Sequence, residues 1–359
     1  MATPTRSLLL VGSVNLPDAE TVFCAASKLS PRLRRIPDGE TGERATWTIW
    51  VRKVFDASGA FEPDPEEQAA GGRKIAAAEA DRRWAGEAQL KKGAPPPPRL
   101  QMRAGVDPNG IKLGRIGYAE AALQSYGTFV RLRAEGTIPK GVRFQVALPT
   151  TAAILNAHIV YRQHAVIEPI YRRRLLAELA EIFTAIPADD LAVQWDVSTE
   201  MAQIEGVRFA HFRPVLDGIA ERLAMHCNAV PRGVELGVHL CYGNFGNRHW
   251  MEPNDTGNMV RVANALAPKL ARQLDWLHMP VPIERHDDAY FAPLAELKLP
   301  AGTELYLGLV HHKDGVAGTR ARIATAQKYA PSFGIGTECG LGRVPPEWVG
   351  DLLDIHAAI

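Results

Sequence analysis

Cysteine is scarce in this chain. Four among 359 residues, with no C-x-x-C pair, fit neither a disulfide scaffold nor a local zinc knuckle. Charge bias is missing as well: 41 Lys and Arg stand against 40 Asp and Glu, a formal net charge of +1. That balance removes the electrostatic reason to expect nucleic acid or an anionic membrane surface as a partner. No apolar run approaches the roughly 20 residues that a membrane span needs. The start, Met1 to Arg6, passes directly into Ser7-Leu8-Leu9-Leu10-Val11, too short for a secretory core, so a cytoplasmic protein is expected. Neither G-x-G-x-x-G nor G-x-x-x-x-G-K-[ST] follows any apolar run, which deprives the main nucleotide-binding folds of their phosphate cradle.

Present instead is a globular composition, 46% hydrophobic and 23% charged, and a rhythm of short apolar runs. Eight read as strands: Ser7–Val14, Arg34–Pro37, Arg143–Leu148, Leu191–Asp196, Val234–Cys241, Trp276–Val281, Glu304–Val310 and Phe333–Thr337. Helical stretches separate most of them. One carries the apolar stripe Leu175, Leu176, Leu179, Ile182, Phe183 and Ile186; two others run from Asn258 to Leu274 and from Gly318 to Tyr329. Repeated strand–helix units imply a doubly wound sheet or a (β/α)₈ barrel. Polar and reactive residues follow nearly every strand and do not gather at one crevice, which favours the barrel (TIM barrel) and an active site at the strands' carboxyl ends. The expectation is one α/β barrel over residues 1–359, with a long insertion at 62–141 between strands 2 and 3. That insertion holds the acidic Glu62–Glu67, a helix candidate at Arg73–Leu90 and the stiff run Pro95-Pro96-Pro97-Pro98. It reads as a surface insertion, or as a lid or arm that would make a homodimer.

Four residues near strand ends suggest one zinc site: His239 and Cys241, Glu284, and Cys339. Their imidazole, two thiolates and carboxylate suit tetrahedral Zn²⁺. His239 and Cys241 are two apart, so an extended strand points both to one side. Cys24 and Cys227, in Ala-rich helical surroundings, read as small buried thiols. Ser13 after Val11-Gly12, and Glu40 in Asp38-Gly39-Glu40, are candidate substrate contacts. Gln194 and Asp196 share a strand face, and an aspartate ending an apolar strand is costly to bury unless paired or bound. His311 and His312 are candidates for acid–base work; being adjacent, at most one should reach the site. His278 is a runner-up ligand.

The run His239-Leu240-Cys241-Tyr242-Gly243-Asn244-Phe245 resembles the H-x-C-Y-x-x-F zinc motif of cobalamin-independent methionine synthase. Glu338-Cys339-Gly340-Leu341 is similar to that family's D-C-G-L run, with Glu for Asp. Val11-Gly12-Ser13, Asp38-Gly39-Glu40 and Gln194-Trp195-Asp196 resemble its amino-acid loops and Q-x-D strand, in the same order along the chain. The resemblance is to the catalytic barrel, in the superfamily that includes uroporphyrinogen decarboxylase. It implies zinc held by His239, Cys241, Cys339 and Glu284, and Asp196, Ser13 and Glu40 on the polar ends of a homocysteine-like thiol. The family's D-x-H-S stretch is replaced here by His311-His312-Lys313-Asp314. The implied activity is methyl or alkyl transfer between an alkyl donor and a small-molecule thiol, with the zinc thiolate as nucleophile. Three alternatives stand beside it. One is thiol addition or C–S cleavage resembling epoxyalkane:coenzyme M transferase; another is a decarboxylase of the wider superfamily. The third is a non-enzymatic zinc or ligand-binding protein.

Overall fold

A computed structural model of the chain describes residues 6–70, 97–243 and 249–359. Ten strands are found among them: β1 (Leu8–Leu9), β2 (Arg35–Pro37), β3 (Phe61–Pro63), β4 (Leu100–Met102), β5 (Arg143–Pro149), β6 (Leu191–Val197), β7 (Glu235–Leu240), β8 (Trp276–Pro280), β9 (Glu304–Val310) and β10 (Gly334–Thr337). Eight form one sheet in the order β1, β10, β9, β8, β7, β6, β5, β2. Every neighbouring pair is parallel. The end strands meet through isolated parallel bridges, Leu8 to Leu33 and Ser13 to Gly39. The sheet therefore curls into a nearly closed (β/α)₈ barrel, as the spacing of apolar runs predicts. The first strand is the most shortened against expectation, with bridges at Ser13 and Val14 in place of a continuous ladder, and four others lose one or two end residues.

Burial explains why these strands are legible. β6 is buried at every residue, and β5 and β9 at all but the first. Helices cover one face and the barrel interior the other, so the runs are apolar throughout and do not alternate. The helix His164–Ala185 buries Leu175, Leu179 and Ile182 from the expected stripe. The helix Gly257–Leu266 stops short of Leu274 and passes into a 3₁₀ turn, Ala267–Lys269, because Pro268 offers no amide to continue the ladder. At the amino-terminal end the barrel is plugged. The Arg35 guanidinium lies 4.4 Å over the Trp276 ring and pairs with Glu235 and, at 3.1 Å, with Glu304. The open end is therefore the carboxyl end.

Part of the expected insertion belongs to the barrel itself. The helix Tyr118–Ala134 fills the outer layer between β2 and β5, its Phe129 ring 5.5 Å from Phe23 and 5.6 Å from Phe144. The rest includes an antiparallel hairpin, β3 with β4. The amide of Val160 donates to the Leu100 carbonyl at 3.0 Å, tying the hairpin to the segment after β5. The Arg73–Leu90 helix candidate and Pro95 and Pro96 lie outside the described residues. Among the described residues no helix is long and apolar enough to cross a membrane.

Candidate metal centre

β7 carries His239 and is followed directly by Cys241, and the turn after β10 brings Cys339 to them. Their ligand atoms all lie within 4.8 Å of one another. The two sulfurs are 3.6 Å apart and both thiols are free. A tetrahedral ion about 2.3 Å from each of two sulfurs holds them about 3.8 Å apart. The spacing fits. His239 contacts His278 through Nδ1 at 2.7 Å, while its buried Nε2 makes no hydrogen bond of full geometry and interacts only with Cys339. Buried polar atoms are rarely left so, and a metal would answer this one. The pair of thiols is polarised. The hydrogen bond from Cys241 holds Cys339 well below the usual thiol range against the pull of burial, helped by His239 and Arg343. The same contact, with burial, pushes Cys241 well up. A metal ion bound here would displace thiol protons.

Two acids stand beside the sulfurs. Asp196, 7% exposed, has its carboxyl pushed well up by burial and by the neighbouring Glu40. Burial pushes Glu40 up to about 7; Arg44 and Arg343 pull it down, and Asp38 and Cys339 push it up. A Cβ on Gly12 would come within 2.7 Å of Glu40 Oε1, so the glycine after β1 makes room for that carboxyl. Asp38 does not face the pocket as a free acid: it receives Arg44 through two bonds, at 2.6 and 3.2 Å. Gln194 is fully engaged. Its amide nitrogen donates to Asp196 at 2.9 Å and to the Val11 carbonyl, and its oxygen accepts from Trp276 at 3.2 Å. It therefore positions Asp196. Ser13 clamps the loop that carries Cys339, accepting from the Leu341 amide through its carbonyl at 2.6 Å and from Gly342 through Oγ at 3.3 Å.

Glu284 is not brought to the sulfurs. Its side chain is 77% exposed, 3.9 Å from Lys313, because Pro282 and Ile283 carry the chain past the end of β8 before it. His311 turns inward, donating through Nε2 to the Val281 carbonyl at 2.9 Å, with Nδ1 3.9 Å from Glu338. His312 turns outward instead, stacked on Trp348 and bonded to Asp351 at 2.9 Å, since neighbouring side chains at a strand end diverge. His278 lies behind His239 and outside the three-ligand group. Cys227 is buried and Cys24 half-buried, both away from that group. One element escapes sequence reasoning. His249 sits between Glu338, 2.6 Å from Nε2, and Glu252, 3.0 Å from Nδ1. Burial opposes its charge, yet the two carboxylates push it up to about 10. The single hint was Glu338 beside Cys339; Asn244 and Phe245 of the motif lie outside the described residues.

Fold and site together define a (β/α)₈ barrel with an imidazole–dithiol cluster at its carboxyl end. No family model matches the chain, and no curated protein matches it. Solved structures do. A protein provisionally described as a vitamin-B12 independent methionine synthase, from Listeria monocytogenes, superposes with a TM-score of 0.51 at 12% identity, over 97% of this chain and 95% of that one. A B12-independent methionine synthase from a Shewanella species, in complex with selenomethionine, gives 0.42 at 16%, over 72% of this chain and 67% of that one. A methyltransferase from Methanosarcina mazei gives 0.45 at 12%, over 95% and 98%. The first likeness supports the fold; the site stands on its own geometry.

Proposed function

We propose that this chain is a zinc-dependent transferase that moves a methyl or alkyl group to or from a small-molecule thiol. One observation supports it above the others: two free sulfurs 3.6 Å apart beside a buried imidazole, their ligand atoms all within 4.8 Å of one another. His239, Cys241 and Cys339 would hold the ion. When bound, zinc supplies an open coordination position and acidifies a thiol, so that its sulfur is a nucleophile near neutral pH. Around that position the chain offers buried acids, Glu40 and Asp196, which suit the ammonium end of an amino-acid-like thiol. Gln194 fixes Asp196, and Ser13 fixes the Cys339 loop. His311, anchored through Nε2 to Val281, is the inward histidine; it would protonate a leaving group through Nδ1 in its charged form, which burial opposes and Glu338 favours.

The test is metal analysis of the purified protein and of Cys241→Ser, with activity on a panel of thiols and methylated donors. One zinc per chain is expected, with loss of most metal and at least a hundredfold of activity in the variant. Full activity without zinc would end this reading.

A further inference from the structure

We propose that the peptide joining Tyr242 to Gly243 guards a ligand sulfur: its N–H bond to Cys241 lowers that sulfur's nucleophilicity, so that alkylation falls on the substrate's thiol. This rests on the zinc reading above. Such a site sets three sulfurs against one electrophile, two from the chain and one from the substrate. Alkylation of Cys241 would form an S–C bond and break the carbon's bond to its leaving group, which departs with the electron pair. The product is a thioether in place of a thiolate, and the centre would lose a ligand.

The Gly243 amide donates to Cys241 Sγ at 3.3 Å. On the other side of the same peptide, the Tyr242 carbonyl accepts from the Trp250 amide at 3.0 Å. A trans peptide is planar, so pinning the carbonyl also aims the N–H. Packing holds that plane in place. Tyr242 is fully buried and its hydroxyl donates to Glu205 at 2.6 Å. The Trp250 ring stacks on it, centroids 5.2 Å apart and planes tilted by 24°. Gly243 sits at φ 84°, in the left-handed region that favours glycine. A Cβ there would come within 2.3 Å of Trp250 Cδ1, so the indole closes over the turn only because residue 243 has no side chain. Trp250 is thus a positioning residue for the amide. A hydrogen bond to a thiolate engages a lone pair with which the sulfur would attack, and bonds to ionised acceptors are the strong ones.

Two measurements test this. In wild-type protein loaded with cadmium-113, the Gly243 amide proton should show scalar coupling to the metal through the N–H···S bond. A loaded, folded protein without that coupling overturns the proposal and needs no variant. The second measurement sets the sulfurs in competition: zinc-loaded protein is treated with iodoacetamide, and the modified cysteines are quantified by peptide mass spectrometry. Relative to Cys339 in the same molecule, Cys241 should be alkylated about 10- to 100-fold faster in Gly243→Ala than in wild type, as expected for the loss of one charge-assisted bond. Trp250→Leu, which keeps the glycine and unpacks the turn, should shift the ratio the same way by less, and it carries the comparison where Gly243→Ala does not fold. An unchanged ratio in a folded, loaded variant overturns the guarding role. Wild-type protein that takes up neither zinc nor cadmium ends the proposed function, whereas loaded protein that fails either test ends the guard alone.

Discussion

Glu40 shows how one residue is shaped for charge. It is a non-glycine residue at φ 50°, a backbone region that costs on the order of 1 kcal/mol or more, and its carboxyl is buried against Gly12. Because burial pushes that group up to about 7, a neutral solution leaves it only partly ionised. An arriving ammonium would favour the ionised form and gain a charge-assisted hydrogen bond. Glu40→Gln keeps the shape and removes the charge. For an amino-bearing thiol its KM should rise about 10- to 100-fold, which corresponds to about 1.4 to 2.8 kcal/mol, with zinc content unchanged. A thiol of similar size without the amino group should lose little; equal losses on both, in steady-state kinetics, would remove ammonium recognition from Glu40. At this scale the sequence was informative where residues stand in short runs at strand ends. The juxtaposition of His239, Cys241 and Cys339 was legible for that reason. Glu284 was misleading because Pro282 and Ile283 separate it from β8 by an amount that patterning does not measure. His249 was invisible because its carboxylate partners, Glu252 and Glu338, are joined to it only by the fold.

Among the elements, the helix Gly315–Ala326 is tied to the barrel by one buried side chain. Arg322 is fully buried and reaches Asp314 through two bonds, at 2.7 and 2.8 Å. It also donates to the carbonyls of Leu309, at 3.0 Å, and Ile283, at 2.8 Å. The clamp joins the end of β9 to the loop that carries Glu284, so Asp314 in the His-His-Lys-Asp run is structural. Asp314→Ala would leave a buried guanidinium without its carboxylate. Such breaks cost about 3–5 kcal/mol when both partners are buried. A third of Asp314 is exposed, so about 2–3 kcal/mol is expected in urea unfolding, and Arg322→Met should cost less. A loss below 0.5 kcal/mol would show that the clamp is not needed. The barrel strands were readable because parallel strands buried on both faces leave continuous apolar runs. The β3–β4 hairpin was not, since strands of three residues containing Glu62, Pro63 and Gln101 carry no such pattern. The helix Tyr118–Ala134 was absorbed into the expected insertion because half its buried face is small or polar: Ala119, Ala122 and Ser125 beside Tyr118, Phe129 and Leu132.

Over the whole molecule, polar chemistry is not confined to the barrel mouth. Between the outer helices a cavity is lined by His164, Glu168, Glu200, His211, Arg222 and His226, among others. Glu200 is 2% exposed, and burial pushes its carboxyl from 4.5 up to about 7, with Thr150 opposing and Glu168 reinforcing. The folded state therefore binds this proton more tightly than the unfolded chain does. Its contribution is full below about pH 4.5 and is lost as pH rises through 7. Burial acts in the opposite sense on His164 and His226, each lowered to about 4. Folding keeps them neutral, so their contribution is full above the unfolded value of 6.5 and is lost as pH falls toward 4. Total stability thus mixes slopes of both signs, and its pH profile alone cannot identify Glu200. The difference between wild type and Glu200→Gln can, because the histidine contributions cancel in it. Relative to the variant, wild type should lose roughly 3 kcal/mol between pH 4.5 and 8, measured by urea unfolding at several pH values. A difference that stays flat across that range would mean that Glu200 titrates as a solvated carboxylate and that the cavity is open to water.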